Sequence, residues 1–286
     1  MYTEKAEYGK TSQDLRGNGQ KWADIQKGRE HMDIIYTIAN QKGGVSKSTT
    51  AWLLTGGLHK AGKRVLLIDL DQQANATLAM GEQASADKSA LQILTREASA
   101  AECIISTEQG DLIPAGKALA GADLILTQTG KEYRLREALK PIREKYDYII
   151  IDTPPALGTL TVNALTAATN LIIPIKADIF SLQGVTDLAE TLEAVRDYTN
   201  PGLIIDGILL TQYSGRPIIS RDMKNTAQGI AEWLKTRLFE TTIREAAAIK
   251  EAQSEQTNLF TYAPGANVTE DARAFILELT GVEVPA

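Results

Sequence analysis

Two adjoining runs decide the fold: Ile34-Ile35-Tyr36-Thr37-Ile38-Ala39, and then Lys42-Gly43-Gly44-Val45-Ser46-Lys47-Ser48-Thr49-Thr50-Ala51-Trp52-Leu53-Leu54. The first is apolar and rich in β-branched residues, which reads as a strand. Gly43 and Gly44 then permit a tight turn, and the residues from Thr50 onward form a helix. A strand, a glycine-rich turn, a Lys-Ser pair and a helix in this order make a cradle for phosphate groups. Backbone N–H groups of the turn and of the helix start point at the anion. Lys47 adds a point charge, and the Ser48 hydroxyl can ligate Mg²⁺. The binding loop is therefore Gly43, Gly44, Val45, Ser46, Lys47, Ser48 and Thr49.

Two positions depart from the common spacing Gly-x-x-x-x-Gly-Lys-Ser/Thr. Gln41 stands where the first glycine would be, and Ser46 where the last would be. A second lysine, Lys42, precedes the glycine pair. Lys-Gly-Gly-x-x-Lys-Ser/Thr resembles the deviant Walker A motif of the ParA/MinD family of ATPases. The resemblance continues at Val65-Leu66-Leu67-Ile68-Asp69-Leu70-Asp71-Gln72-Gln73-Ala74-Asn75, an apolar strand ending in Asp-x-Asp-x-Gln-x-Asn. It returns at Tyr148-Ile149-Ile150-Ile151-Asp152-Thr153-Pro154-Pro155, and in later strands at Leu171–Ile175 and Ile208–Tyr213. It spans residues 34–280, nearly the whole chain.

The resemblance implies an ATPase that uses ATP and Mg²⁺. Lys47 and the loop amides would hold the β- and γ-phosphates. Ser48 and Asp152 would hold the metal, Asp152 through water. Lys42 would cross a dimer interface to the phosphates of the partner's ATP, and Asp71 would orient the attacking water. On the residues alone, Asp71 also fits a helix cap or turn, and Asp69 is the alternative carboxylate. Ser46 raises a conformational question. At negative φ a serine there costs little; at positive φ it costs about 1 kcal/mol or more.

The chain has 286 residues, 43% hydrophobic and 23% charged, as in an ordinary globular protein. Its longest apolar runs are strand-length, too short to span a bilayer. The start, Met1-Tyr2-Thr3-Glu4-Lys5, lacks the apolar core of a signal peptide. A single cysteine, Cys103, excludes an internal disulfide and any zinc or iron–sulfur site ligated by several cysteines of one chain. A site bridging two chains stays open, but Cys103 is far from either switch motif and reads as a buried apolar residue. These features fit a cytoplasmic protein.

Residues 1–31 are polar, mixed in charge and weakly periodic, which predicts a flexible N-terminal extension. The run Lys27-Gly28-Arg29-Glu30 can be encoded by a purine-rich stretch, so Met32 is an alternative natural start. Residues 32–286 read as one ATPase domain. Strands are predicted over 34–39, 64–69, 111–114, 147–152, 170–175 and 203–210, with a short one near 258–262. Helices are predicted over 47–61, 75–80, 88–96, 131–145, 159–168, 182–197, 217–236 and 269–279. Residues 81–110 read poorly and lean helical. Alternation of this kind gives an α/β fold, a doubly wound and mostly parallel sheet flanked by helices.

The net charge of −6 argues against a generally basic nucleic-acid binder. Residues 216–250 differ: seven basic residues face four acidic ones, a local excess of +3. The resemblance implies that such residues bind DNA without sequence preference once ATP has driven dimerisation. Arg216, Arg221, Lys224, Arg244 and Lys250 are the candidates, although a charge run is also what a solvated helix face looks like. The C-terminal run Ala272–Glu283 is short and acidic, so it reads as a core-packed helix rather than a lipid anchor. The implied function is a partition ATPase, nucleoid-associated when ATP-bound. Its implied partners are a second copy, DNA, and a centromere-binding ParB-like or analogous stimulating protein, with no membrane. The alternative is a related ATPase that positions a protein cargo or acts as a regulatory switch.

Overall fold

A computed structural model describes residues 34–83, 88–176, 181–213 and 217–286, with only the backbone described over 181–183 and 217–223. The expected extension over 1–31, Met32 and Arg216 lie outside the described residues, as does the side chain of Arg221. The strands are β1 (Ile34–Ile38), β2 (Val65–Asp69), β3 (Ile105–Thr107), β4 (Gly110–Ile113), β5 (Tyr148–Asp152), β6 (Asn170–Lys176), β7 (Ile204–Tyr213) and β8 (Leu238–Arg244). They form one sheet in the order β3-β4-β2-β5-β1-β6-β7-β8, parallel except for the β3–β4 hairpin.

The helices are α1 (Lys47–Lys60), α2 (Asn75–Ala79), α3 (Ala90–Thr95), α4 (Ala122–Ile125), α5 (Arg134–Leu139) and α6 (Thr159–Ala167). They continue with α7 (Ser181–Tyr198), α8 (Pro217–Trp233), α9 (Ala247–Ser254), α10 (Leu259–Tyr262) and α11 (Asn267–Thr280). Central strands such as β5 are buried along their whole length, because helices cover both faces. On one face Tyr36, Ile38, Leu67 and Ile150 pack against Trp52, Leu54, Leu58, Phe260, Phe275 and Ile276 of α1, α10 and α11. On the other, Ile35, Leu66, Ile149 and Ile151 meet Leu91, Leu94, Leu135, Leu139 and Leu160 of α3, α5 and α6. Farther along, Leu171, Ile173, Ile208 and Leu210 meet Val185, Leu188 and Ile230 of α7 and α8.

Several expectations are corrected. The strand expected near 258–262 is the short helix α10: the Asn258 side chain caps it, accepting from Phe260 N at 3.0 Å. The single helix expected over 131–145 breaks into α5 and 3₁₀ turns; Pro141 has no N–H with which to continue the α5 hydrogen-bond ladder. Residues 81–110 are only partly helical; they end in strand β3 and the hairpin turn to β4. β8 and α9 are additions to the expected elements. Cys103 is buried. No helix among the described residues is long and apolar enough to cross a membrane.

α11 also reaches the outer edge of β8. Glu278 accepts hydrogen bonds from the backbone N–H groups of Glu240 and Thr241, each at 2.9 Å. Asp271 accepts from Arg244 N at 3.1 Å and grips the same guanidinium at 2.6 and 2.7 Å. α1 packs closely against α10 and α11 at Gly57. A Cβ there would overlap Ile276 Cδ1 and lie 2.8 Å from Phe260 Cζ. Alanine would gain about 1 kcal/mol of helix propensity but overpack the core, which costs about 1–3 kcal/mol. Gly57→Ala is therefore expected to destabilise the protein, read as a lower urea midpoint at unchanged denaturant slope.

Candidate functional site

β1 lies between β5 and β6; the chain runs from β1 to β2 on one side of it, and later crosses from β5 to β6 on the other. A crevice opens there beyond the carboxyl ends of the strands, the usual ligand position in such folds. The Asn40–Ser46 turn follows β1 into this crevice, and α1 starts at Lys47. Register places Asp152, the last residue of β5, beside both Ile38 of β1 and Asp69 of β2. A cleft of about 690 Å³ results, lined by Gly43, Gly44, Ser46, Lys47, Ser48 and Thr49 on one side. Asp71, Asn75 and Leu78 close a second wall, and Lys250, Gln253 and Ser254 of α9 a third.

The loop is held from behind. Thr211 Oγ1 donates to Val45 O at 3.1 Å, and Gln212 Nε2 donates to Gly44 O at 2.8 Å and to Ser46 Oγ at 3.0 Å. Asn40 ties the start of the turn, donating to Pro174 O at 2.8 Å and accepting from Lys42 N at 3.0 Å. Ser46 has φ of +66°, next to Gly44 at +72°. The serine therefore takes the strained of its two alternatives, and the Gln212 hydrogen bond offsets part of that cost. No side chain caps α1, so its first-turn N–H groups face the crevice as donors for an anion.

The three acidic residues have different surroundings. Asp69 is fully buried and already engaged: it accepts from Asp71 N at 3.0 Å, Thr77 N at 2.9 Å and Thr77 Oγ1 at 2.8 Å. Burial pushes its carboxyl up to about 6 despite those hydrogen bonds. Asp71 faces the cleft and accepts only from Gln73 N, at 3.1 Å, among the described hydrogen bonds. Asp152 is the odd group. Burial and the Asp69 carboxylate push its pKa well above the usual range, while Ser48 and Lys47 pull the other way. The Ser48 hydroxyl is close enough to ease that charge. Even so, neither Asp152 oxygen has partner geometry among the described residues. A buried carboxylate without a donor, next to a serine hydroxyl and a lysine, is a donor set that suits a hard cation.

Lys47 is itself buried. Burial lowers its pKa, and Asp152 and Asp71 raise it. Its Nζ donates to Lys42 O at 3.2 Å, so the two lysines of the loop are physically linked. Lys42 also packs under α7, where a Cβ on Gly184 would lie 3.1 Å from Lys42 N and 2.8 Å from Asn40 Oδ1.

Of the residues proposed for DNA, Arg244 and Lys250 line one cavity with Tyr213, and Lys224 lies over the Tyr213 ring. Arg244 is paired with Asp271, and Lys250 sits on the cleft rim with Nζ 3.8 Å from Glu245 Oε1. Lys224 is exposed, with Nζ 5.7 Å from the centroid of the Tyr213 ring. Arg237, another member of the basic run, pairs with Glu278 at 3.7 Å. Asp271 and Glu278 of α11 thus reduce the excess seen in the linear count. Gln212 and the α9 residues Gln253 and Ser254 are cleft-lining residues that sequence reasoning did not single out.

A family model described as an AAA domain matches residues 32–205. Over 237 residues the chain is 38% identical to the sporulation initiation inhibitor protein Soj of Bacillus subtilis, covering 82% of this chain and 92% of that protein. The chromosome partitioning protein ParA of Myxococcus xanthus is 36% identical over 243 residues, covering 83% of this chain and 82% of that protein. Among solved structures, the cobyrinic acid a,c-diamide synthase of Mycobacterium smegmatis with bound ADP and magnesium superposes with a TM-score of 0.73. It is 31% identical, with 89% of this chain and 99% of that chain covered.

The raised carboxyls have a consequence for stability without nucleotide or Mg²⁺. The unfolded chain releases the Asp69 proton near 3.8, whereas the fold keeps it to about 6. Between those values the folded state binds more protons, so stability falls as pH rises through the window, and Asp152 extends the fall higher. Asp152→Asn is expected to flatten that fall and to stabilise the metal-free protein at pH 7.5 by about 1–3 kcal/mol. It should also lose the further stabilisation that Mg²⁺ with nucleotide gives the wild type. Urea melts at pH 5 and 7.5, with and without both ligands, read all three effects.

Proposed function

The chain belongs to the ParA/Soj-like ATPases, within the family described as an AAA domain, and on that premise we propose that it is an ATP-driven partition switch. It dimerises on ATP, binds DNA without sequence preference, and drives segregation of a plasmid, chromosome or integrative element. A DNA-bound stimulating protein of the ParB kind triggers hydrolysis and release. The observation that carries this reading is the linked lysine pair of the loop, Lys42 and Lys47, with the Lys47 ammonium close enough to the buried Asp152 carboxylate to interact with its charge.

ATP hydrolysis at such a site rests on positioning and charge neutralisation. Gly43, Gly44, Val45, Ser46, Lys47, Ser48 and Thr49 cradle the phosphates. Ser48 and Asp152 would hold Mg²⁺, which would supply charge that neutralises the phosphates. Asp71 orients the attacking water from the opposite wall. Lys42 reaches a second copy's nucleotide, where it acts electrostatically like an arginine finger. The relatives named for chromosome partitioning and sporulation control support the same class of switch.

A second reading, an ATPase that positions a protein cargo or regulates another process, shares every one of these residues. What favours it is the commitment of Arg244 to Asp271 and of Arg237 to Glu278, which leaves fewer cations for phosphate backbone.

Lys42→Ala is expected to bind ATP with affinity close to wild type while losing the ATP-dependent dimer in light scattering. Asp71→Ala should bind ATP and accumulate as dimer, with phosphate release reduced about 100-fold or more. A Lys42→Ala protein with a normal dimer and normal turnover would remove the cross-interface role.

DNA binding is expected only with ATP and should weaken steeply between about 50 and 200 mM salt, because each phosphate contact releases counterions. Reversing charge at Arg221 and Lys224 together should weaken it further. A mobility shift that finds no binding at low salt with ATP present leaves the cargo reading.

A further inference from the structure

Gln109 lies outside the nucleotide-binding machinery, yet its amide joins three walls of the cleft. It occupies the turn of the β3–β4 hairpin and is only 3% exposed. Gly110, at φ +123°, lets this turn press against the core: a Cβ there would lie 3.3 Å from both Thr55 Cγ2 and Val65 O. The Gln109 backbone N–H donates to Thr107 Oγ1 at 3.0 Å, which fixes the turn. Its side chain then makes three hydrogen bonds to three separate elements. Oε1 accepts from the Trp52 indole N–H of α1 at 2.8 Å. Nε2 donates to Ala79 O, the last residue of α2, at 2.9 Å, and to Gln256 O, just beyond α9, at 3.0 Å.

Each of those elements contributes a wall of the cleft. α1 begins with Lys47 and Ser48, α2 carries Asn75 and Leu78 directly after Asp71, and α9 carries Lys250, Gln253 and Ser254. α2 has five residues, far too few to hold a helix by its own hydrogen bonds. Its position is therefore set by what grips it. Asp69 grips Thr77 in its middle, and Gln109 grips its C-terminal carbonyl. Trp52 and Gln109 are both buried, so losing the bond between them leaves a buried polar group without its partner, which is costly.

We propose that Gln109 is a positioning residue for hydrolysis: its amide locks the α2 segment that follows Asp71 to the phosphate-loop helix and to the α9 wall. The inference rests on the reading of the cleft as an ATPase site, with Asp71 orienting water. Gln109 touches neither nucleotide nor metal and acts through α2.

The test uses the full chain with Gln109→Met, which keeps the volume but removes the donors and the acceptor. Binding of AMPPNP with Mg²⁺ should stay within about threefold, because the phosphate loop is untouched. Turnover of ATP at saturation should fall about 10-fold or more, as a small misplacement of a water-orienting group does. The indole N–H resonance of Trp52, assigned with Trp52→Phe, should shift on adding AMPPNP with Mg²⁺ to the wild type, and the shift should vanish in Gln109→Met. The double variant Trp52→Phe/Gln109→Met leaves no indole N–H unpaired. It should fold even where the single variant is unstable, and it should show the same loss of turnover. Unchanged turnover in a folded variant overturns the proposal, as does an equal fall in affinity and turnover, which marks a merely structural role. A wild-type protein that binds AMPPNP but never hydrolyses ATP defeats the hydrolysis reading instead. The Trp52 shift and its loss then still decide whether Gln109 couples the walls.

Discussion

The Asp152 carboxylate sits at the end of β5 between two neighbouring strands, fully buried, with no hydrogen-bond donor in place among the described residues. Such a group is costly in a protein interior unless something pairs it. Everything around it is arranged on that condition. Lys47 is drawn into burial beside it, the Ser48 hydroxyl turns toward it, and the neighbouring Asp69, whose charge adds to the strain on Asp152, is itself held by three donors. The sheet order is what makes the arrangement possible, because β5 between β1 and β2 brings three chain segments to one carboxyl edge.

The backbone around the cleft is held in uncommon conformations. Ser46, Ala74, Gln212 and Gln256 all have positive φ without being glycine. Ser46 and Ala74 each precede a helix that forms a wall, Gln212 holds the phosphate loop from behind, and the Gln256 carbonyl accepts from Gln109. Each such residue costs about 1–2 kcal/mol relative to a relaxed backbone, and surrounding hydrogen bonds over-determine it. Four of the six such residues among the described ones thus sit around the cleft; the other two, Arg96 and Lys235, lie away from it.

Most of the parallel sheet was legible because buried strands announce themselves: Ile149-Ile150-Ile151 and Leu171-Ile172-Ile173 cannot be much else between helical runs. The phosphate loop was legible for a different reason, since its glycines, lysines and serine act through local geometry alone. β8 was not, because an edge strand with Glu240, Thr241 and Thr242 has too little apolar alternation to stand out. Near 258–262, Leu259-Phe260 looked like a strand, and a capping Asn258 decided for helix. The distinction between Asp69 and Asp71 needed Thr77, eight residues beyond Asp69, to fold back onto it. The counter-charges of Arg237 and Arg244 in the basic run were out of sight for the same kind of reason: Asp271 and Glu278 come from a helix farther down the chain. Pairings across distance are invisible to any count made along the chain.

Those two acidic residues have a further effect on how copies of the protein can meet. An outer strand normally offers a row of free amides on which another chain can build. Along β8 the amides of Glu240, Thr241 and Arg244 are already taken by carboxylates of α11. Sheet-to-sheet growth is therefore blocked at that border. A second copy that meets this one along β8 therefore has to do so through side chains of β8 and α11, not by extending the hydrogen-bonded sheet.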